Sequence, residues 1–408
     1  MTDPDEQRRQ RRAVTAVLAG VVALGAAGIV ASIVLVGGPC DDLLPGSFTS
    51  PPAVVDGGEV IAAVAPGADG AEVAAAVVAA GETLGLGPVR GATPGSADSF
   101  AVPVDDAVFV VAGDDHVRIL DTALVAVATG RARPEQATFV PAGSQVGLIE
   151  RDLAGDVLIA RYDDDLGLTA CRELDPPGVV AHVAGGLALV SRGTTVEAAG
   201  LDGRTLWTAE GIAGTPTVDA ATTGLLAVLA SPDGIAAVDL RTGEPRWTVD
   251  ADALGDALAE DPILLAGDDV VVVATRSAVV RVDGEGGRVL TRDVVATPAT
   301  SAASTPAGVV VGAGEELLRF AGAETAARTA LPGSVTSPLR VRGDQVLVGT
   351  DAGLVRVDRD GTVAVADGLP VAGVAVAGDY TLVGVDVGEG FLAFYGPVPA
   401  TGSGHATD

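Results

Sequence analysis

A chain of 408 residues exceeds what a single hydrophobic core usually organises, so it holds either several domains or one domain built from repeated units. Its formal charge of −29 repels phosphate backbones, and no basic stripe interrupts that field beyond the extreme N-terminus; this argues against nucleic-acid binding and leaves a basic protein or a cation as the charged partner the surface would tolerate. Aromatics are only 3%, all 25 basic residues are Arg, and Asn is absent, which points to a core of small aliphatic side chains, a GC-rich source of the actinobacterial kind and no N-glycosylation site.

Residues 1–12 form a short tail carrying Arg8, Arg9, Arg11 and Arg12. The next 24 residues, Ala13 to Val36, contain no charge; as a helix they reach about 36 Å, enough to cross a hydrocarbon core of ~30 Å with some tilt. Arginines before the run and Asp41 and Asp42 after it place the N-terminus in the cytoplasm and everything after Gly37 outside. A cleaved signal peptide is the alternative, but the run is long for one and ends Leu35-Val36-Gly37-Gly38-Pro39 without a small-x-small site. Twin-arginine export and lipidation at Cys40 fit less well: Arg11 and Arg12 stand where the first wants apolar residues, and Pro39 precedes the cysteine. Ala19, Ala23, Ala27 and Ala31 recur every four residues and would line one side of the helix with small side chains, a pattern that permits a homodimer through this segment.

Residues 37–57 are rich in Pro, Gly, Ser and Asp and form a tether. The chain's two cysteines, Cys40 and Cys171, both fall on the outer side, where disulfides persist; they either join the base of the anchor to the domain or remain free thiols. They show neither metal-ligand spacing nor a C-x-x-C pair. Ala71 to Ala80 is the sole helical candidate of the exterior part, after which short Val/Leu/Ala runs alternate with Gly/Asp turns to about residue 396, leaving 397–408 as a disordered tail.

Those runs recur in register. Val270 to Val273 followed by Ala278 to Asp283 matches Gln345 to Val348 followed by Gly353 to Asp358, each a hairpin of short strands. The pairs Thr215-Pro216, Asp261-Pro262, Thr297-Pro298 and Ser337-Pro338 open the preceding strands at spacings of 46, 36 and 40 residues. A period near 40 with four strands per unit is the mark of propeller blades. Units start near Ser99, Phe139, Val179, Thr215, Asp261, Thr297, Ser334 and Val371, which predicts an all-β domain over 58–396: a β-propeller of about eight, alternatively seven, four-stranded blades, preceded by one transmembrane helix. The last unit is short, and a strand near Val60 to Val64 is expected to complete it and remove the exposed edges.

One unit carries a more specific motif: Ala237-Val238-Asp239-Leu240-Arg241-Thr242-Gly243-Glu244-Pro245-Arg246-Trp247. It resembles the A-x-D-x-x-T-G-x-x-x-W docking motif of the pyrroloquinoline-quinone-like propeller family. The resemblance implies that Trp247 packs between neighbouring blades while Asp239, Thr242 and Gly243 shape the turn. Gly203 and Trp207 keep the same spacing in a shorter version, and Asp283 to Thr291 and Asp358 to Val365 are degenerate forms without Trp. Quinone-dependent dehydrogenases of the family carry a vicinal Cys pair, and carboxylate and amide ligands for calcium. This chain has no adjacent cysteines and no Asn, so it is similar to the non-enzymatic branch, which includes the propeller lipoprotein of the outer-membrane protein assembly machinery.

His116, His182 and His405 are the only histidines, and no nucleophile elbow, phosphate loop or zinc-binding helix motif occurs. Asp163-Asp164-Asp165 and Asp358-Arg359-Asp360-Gly361 could offer oxygens to calcium, but they lack the further acidic ligands such loops need and read as hairpin turns. The expectation is therefore a membrane-anchored scaffold that binds an envelope protein, with no catalytic residues, no metal and no cofactor. The alternatives are a quinone- or metal-dependent oxidoreductase, or a ligand-sensing domain.

Overall fold

The computed structural model describes residues 70–396 except the connecting stretches 95–99, 104–108, 114–115, 121–125, 132–136, 143–144, 152–156, 163–167, 175–178, 185–186, 201–203, 211–218, 257, 259–263, 267–269, 322–326 and 387–389. Side chains are described at 72–90, 92 and 171 and at most of these positions from 187 onward. The run from Ala13 to Val36 lies outside these residues; among the described ones no helix is long and apolar enough to cross a membrane.

The described chain opens with helix α1 (Gly70–Thr83) and strand β1 (Val89–Pro94). The helix is longer than the expected Ala71–Ala80, and a second, short one, α2 (Ala251–Leu254), occurs within an insertion that sequence patterning does not reveal. The rest of the described chain is strand and turn, arranged in eight four-stranded antiparallel sheets. Seven of them take four consecutive strands and meander outward in chain order, as in β14 (Asp219–Thr223), β15 (Leu226–Ser231), β16 (Gly234–Asp239) and β17 (Pro245–Asp250). The meander follows from the turns: two-residue hairpins at Gly224-Leu225 and Pro232-Asp233 leave consecutive strands no partner but each other.

The first strands of the eight sheets are β2 (Phe100–Pro103), β6 (Ala137–Ala142), β10 (Val179–Ala184), β14, β18 (Leu264–Ala266), β22 (Ala299–Thr305), β26 (Arg340–Arg342) and β30 (Val371–Ala377). Each touches the next in this order, and β30 touches β2. This is the arrangement of β-propeller blades, numbered 1 to 8 below. The observed first strands begin within four residues of the expected unit starts except in blade 7, where the strand begins at Arg340, six residues after Ser334.

The eighth sheet departs from the pattern. It holds β30, β31 (Tyr380–Val385) and β32 (Phe391–Tyr395), and its fourth strand is β1, which pairs antiparallel with β32 from Val89↔Tyr395 to Pro94↔Phe391. The completing strand is therefore Val89–Pro94 rather than Val60 to Val64, which lie outside the described residues. Helix α1 explains the displacement: it packs against blade 7, burying Val77, Ala80, Leu84 and Leu86, and delivers the chain to the edge of β32 only after Pro88.

The core lies between blades rather than within one. One cluster joins Trp207 and Leu189 of blade 3 to Leu229 and Val238 of blade 4; another joins Val228 and Ile235 of blade 4 to Val271 and Val280 of blade 5. Middle strands are covered on both faces, so β15 and β16 are buried almost end to end, and the alternation expected of a one-sided sheet is absent. The outermost strand β17 is largely exposed. Val, Ala and Leu suffice because close-approaching blades leave thin layers to fill.

Candidate functional site

Cross-strand pairing places Ala237, wholly buried, opposite Trp247, and Ala198 opposite Trp207. An alanine there leaves room for the indole to lean away from its own blade onto the next. The turn between β16 and β17 is built on Asp239. Its Oδ1 accepts the N–H groups of Arg241 (2.9 Å) and Thr242 (3.2 Å). Its carbonyl accepts the Gly243 N–H at 2.8 Å, and its own N–H donates to the Glu244 carbonyl at 2.8 Å. Thr242 Oγ1 accepts the Glu244 N–H at 3.3 Å. Arg246 reaches back to Asp239 Oδ2 at 2.5 Å. The Arg246 hydrogen bond, aided by the Arg241 N–H, holds the Asp239 carboxyl below the usual carboxylate range, and the same bond raises the Arg246 guanidinium.

Each Trp completes a joint to the following blade. Trp207 donates its Nε1–H to the Leu240 carbonyl at 2.7 Å and lies flat on Gly243 (φ +72°), so close that a Cβ there would sit 2.8 Å from Trp207 Cε3. Trp247 does the same one blade on: Nε1–H donates to the Gly284 carbonyl at 2.8 Å, and the ring covers Gly287 (φ +67°). Thus the Asp283 turn, degenerate because it has no Trp of its own, is a complete receiver. Asp283 Oδ1 accepts the Glu285 N–H at 3.1 Å and its carbonyl accepts the Gly287 N–H at 2.9 Å. Gly203 lies outside the described residues.

At the described seams without a Trp, those after blades 5, 6 and 7, arginine makes the joint. Arg319 of blade 6 donates through Nη1 to the Arg359 carbonyl and through Nη2 to the Asp358 carbonyl at 3.0 Å. The Arg359 carbonyl follows the turn aspartate by one residue, as Leu240 and Gly284 do, so a guanidinium fills the place of the indole N–H. Arg340 Nε donates to the Val374 carbonyl at 3.0 Å, and Arg342 Nη2 to the Asp379 carbonyl at 3.0 Å, both across to blade 8. Between blades 5 and 6, Arg281 is buried with its guanidinium 5.6 Å from the centre of the Phe320 ring. Burial pushes its pKa down, and the charge of Asp293 opposes that shift. Sequence patterning misses these arginines because a lone Arg in a strand gives no local signal and its acceptor lies some 35 to 40 residues away.

One shallow hollow of about 650 Å³ opens on blade 7, lined by Asp344, Gln345, Asp358, Arg359 and Asp360. It contains the second acidic cluster singled out above, but its carboxylates are engaged in the turn. Asp358 Oδ1 accepts from Gln345 Nε2 at 2.9 Å and Oδ2 pairs with Arg356 Nη2 at 3.1 Å. Asp360 Oδ1 accepts the Thr362 N–H at 2.9 Å, a bond that lowers its pKa. Among the described residues no three of His, Cys, Asp and Glu gather as a metal site would require; Asp163 to Asp165 and His405 lie outside them. His116 and His182 stand in β4 (His116–Leu120) and β10. Cys171, in β9 (Leu168–Leu174), is disulfide-bonded, and Cys40 lies outside the described residues.

No family model matches the sequence, and no curated protein matches it. Many solved structures are similar in fold, among them the following two. The computationally designed protein Ika8 superposes with a TM-score of 0.58 at 13% identity, over 75% of this chain and 97% of Ika8. BamB from Moraxella catarrhalis superposes with a TM-score of 0.53 at 14% identity, over 76% of this chain and 99% of BamB. At these identities the likeness is one of fold, and it supports the propeller assignment.

Proposed function

We propose that the chain is a non-catalytic, protein-binding scaffold of the cell envelope. In this reading the eight sheets form a closed propeller outside the cytoplasm, held at the membrane by a helix over 13–36 with its N-terminus inside. One observation carries it. The conspicuous side chains of the motif, Asp239, Thr242, Trp207 and Trp247, are all spent on shaping turns and joining blades, so what the domain offers outward is an acidic surface of short turns. The fold shared with BamB supports the propeller on which this reading rests, and a disulfide from Cys40 to Cys171 would limit how far the domain swings from its anchor.

The test is crosslinking of the intact protein in its native membrane, with mass spectrometry of whatever is attached to residues 58–396. A reproducible envelope protein is the expected result; crosslinks to the chain itself alone would refute the scaffold. Removal of residues 1–36 should release the protein from the membrane fraction, and retention there would refute the anchor.

A further inference from the structure

Several bonds from blades 7 and 8 converge on the short stretch of backbone that leads from α1 into β1. The helix ends in a Schellman turn: the Gly85 N–H (φ +65°) donates to the Glu82 carbonyl at 3.2 Å and the Leu86 N–H to the Gly81 carbonyl at 2.9 Å. The carbonyls that follow stand at the negative end of the helix dipole, where cations are favoured. Two guanidiniums of blade 7 take them. Arg356 Nη1 donates to the Leu84 carbonyl at 2.6 Å, and Arg342 Nη1 to the Gly85 carbonyl at 2.8 Å. From blade 8, the buried Tyr395 hydroxyl donates to the Val77 carbonyl at 2.8 Å, and the Gly396 N–H to the Pro88 carbonyl at 3.3 Å.

The strand these bonds secure is a poor one by itself. β1 pairs along one edge only and its register shifts between Val89 and Gly91. Its sequence, Val-Arg-Gly-Ala-Thr-Pro, has a glycine inside and ends in proline; among its residues whose side chains are described, Ala92 is buried and Val89 packs half-buried against the same cluster. Its partner β32 is buried along all five residues. At the seams after blades 3 and 4 an indole stacks on glycine, buried at Trp207 and half-buried at Trp247. At this seam two of the donors are arginines whose bonds are exposed or part-buried, where water can replace either partner.

We infer that residues 70–94 are a releasable clasp: α1 and β1 come away together from blades 7 and 8 while the remaining blades stay folded, and their departure uncovers the hydrogen-bonding edge of β32. Arg342 and Arg356 fasten the helix end to blade 7 beside the apolar contacts of Val77, Ala80, Leu84 and Leu86, and so contribute to the ease of release. Arg342 also bonds the Asp379 carbonyl of blade 8, so one side chain ties the clasp to both blades. The inference needs only the strand pairing and these bonds, and it stands whether or not the propeller is a scaffold.

Hydrogen exchange followed by mass spectrometry on the full-length protein in detergent tests it. Amides of 72–94 should exchange as one group, at least tenfold faster than those of β15 and β16. In R342A/R356A the clasp amides should speed up a further tenfold or more while β15 and β16 are unchanged. Equal protection of clasp and blade 4 in the unmodified protein, or an equal acceleration of both in the variant, overturns the clasp. Ala92 and Ala393 are direct cross-strand partners, so an oxidised Ala92→Cys/Ala393→Cys protein provides a check that crosslinks the seam and leaves both arginines in place. Its clasp should slow to the rate of blade 4, and continued fast exchange there would refute release at this seam.

Discussion

Replacing Gly243 by alanine tests the joint between blades 3 and 4 directly. Two costs are built into the position. Its φ of +72° is a left-handed conformation that costs an alanine about 1–2 kcal/mol. The new Cβ would also lie 2.8 Å from Trp207 Cε3, and overpacking of this kind costs about 1–3 kcal/mol. Gly193 separates the two: it has φ +58° and nothing within 4 Å of the same Cβ, so Gly193→Ala should show the backbone cost alone. Urea unfolding of the full-length protein in detergent, followed by far-UV circular dichroism, should put Gly243→Ala about 2–5 kcal/mol below the parent and Gly193→Ala about 1–2 kcal/mol below it. In a Trp207→Leu background the excess should vanish, because the atoms the Cβ strikes are gone; the coupling is read from the double-mutant cycle. If Gly243→Ala costs no more than Gly193→Ala, or if its excess survives removal of the indole, the stacked joint described here is wrong.

The arginine joint is weaker and more specific in shape: Arg319→Ala should lose about 1–2 kcal/mol by the same assay, since its bonds are part-buried or exposed. Arg319→Lys should recover less than half of that, because an ammonium lacks the planar fork that spans two adjacent carbonyls; full recovery would show that charge alone matters. Asp239 has a folded pKa below its unfolded one, so its contribution is present above the unfolded value and is lost as pH falls through the folded one. The stability gap between the parent and Asp239→Asn should therefore be widest near neutrality and shrink below about pH 4, and a gap that grows on acidification contradicts the assignment. Alkylation without reductant should leave Cys171 unlabelled, whereas Cys40→Ser should make it reactive; protection in that variant would rule out Cys40 as its partner.

The blades were legible because strand length is limited by turns, and the Gly/Asp turns punctuate the chain at a nearly constant interval even where burial on both faces erases period-2 alternation. The receiving turns were legible for a similar reason: Asp239 with Gly243, and Asp283 with Gly287, are local patterns within five residues. β1 was not. Its sequence has little strand propensity, and the pairing that makes it a strand comes from β32, about 300 residues away; Val60 to Val64 carries the stronger local signal. The arginine joints were hidden by the same distance, since nothing around Arg319 or Arg340 distinguishes a blade-joining guanidinium from a solvated one. Asp358 and Asp360 read as a degenerate turn and form one, with both oxygens of Asp358 taken by Gln345 and Arg356.

The pairing of β1 with β32 also orders events during synthesis. At about 5–20 residues per second the ribosome needs roughly 15–60 s to make the ~300 residues between them. Throughout that interval β1 has no partner and blade 8 cannot assemble, although blades 1 to 6 can already have formed from contiguous chain. A nascent chain stalled before Phe391 should therefore leave β1 unpaired however well its middle is folded, which makes the pairing of β1 with the last five-residue strand the final step in assembling blade 8.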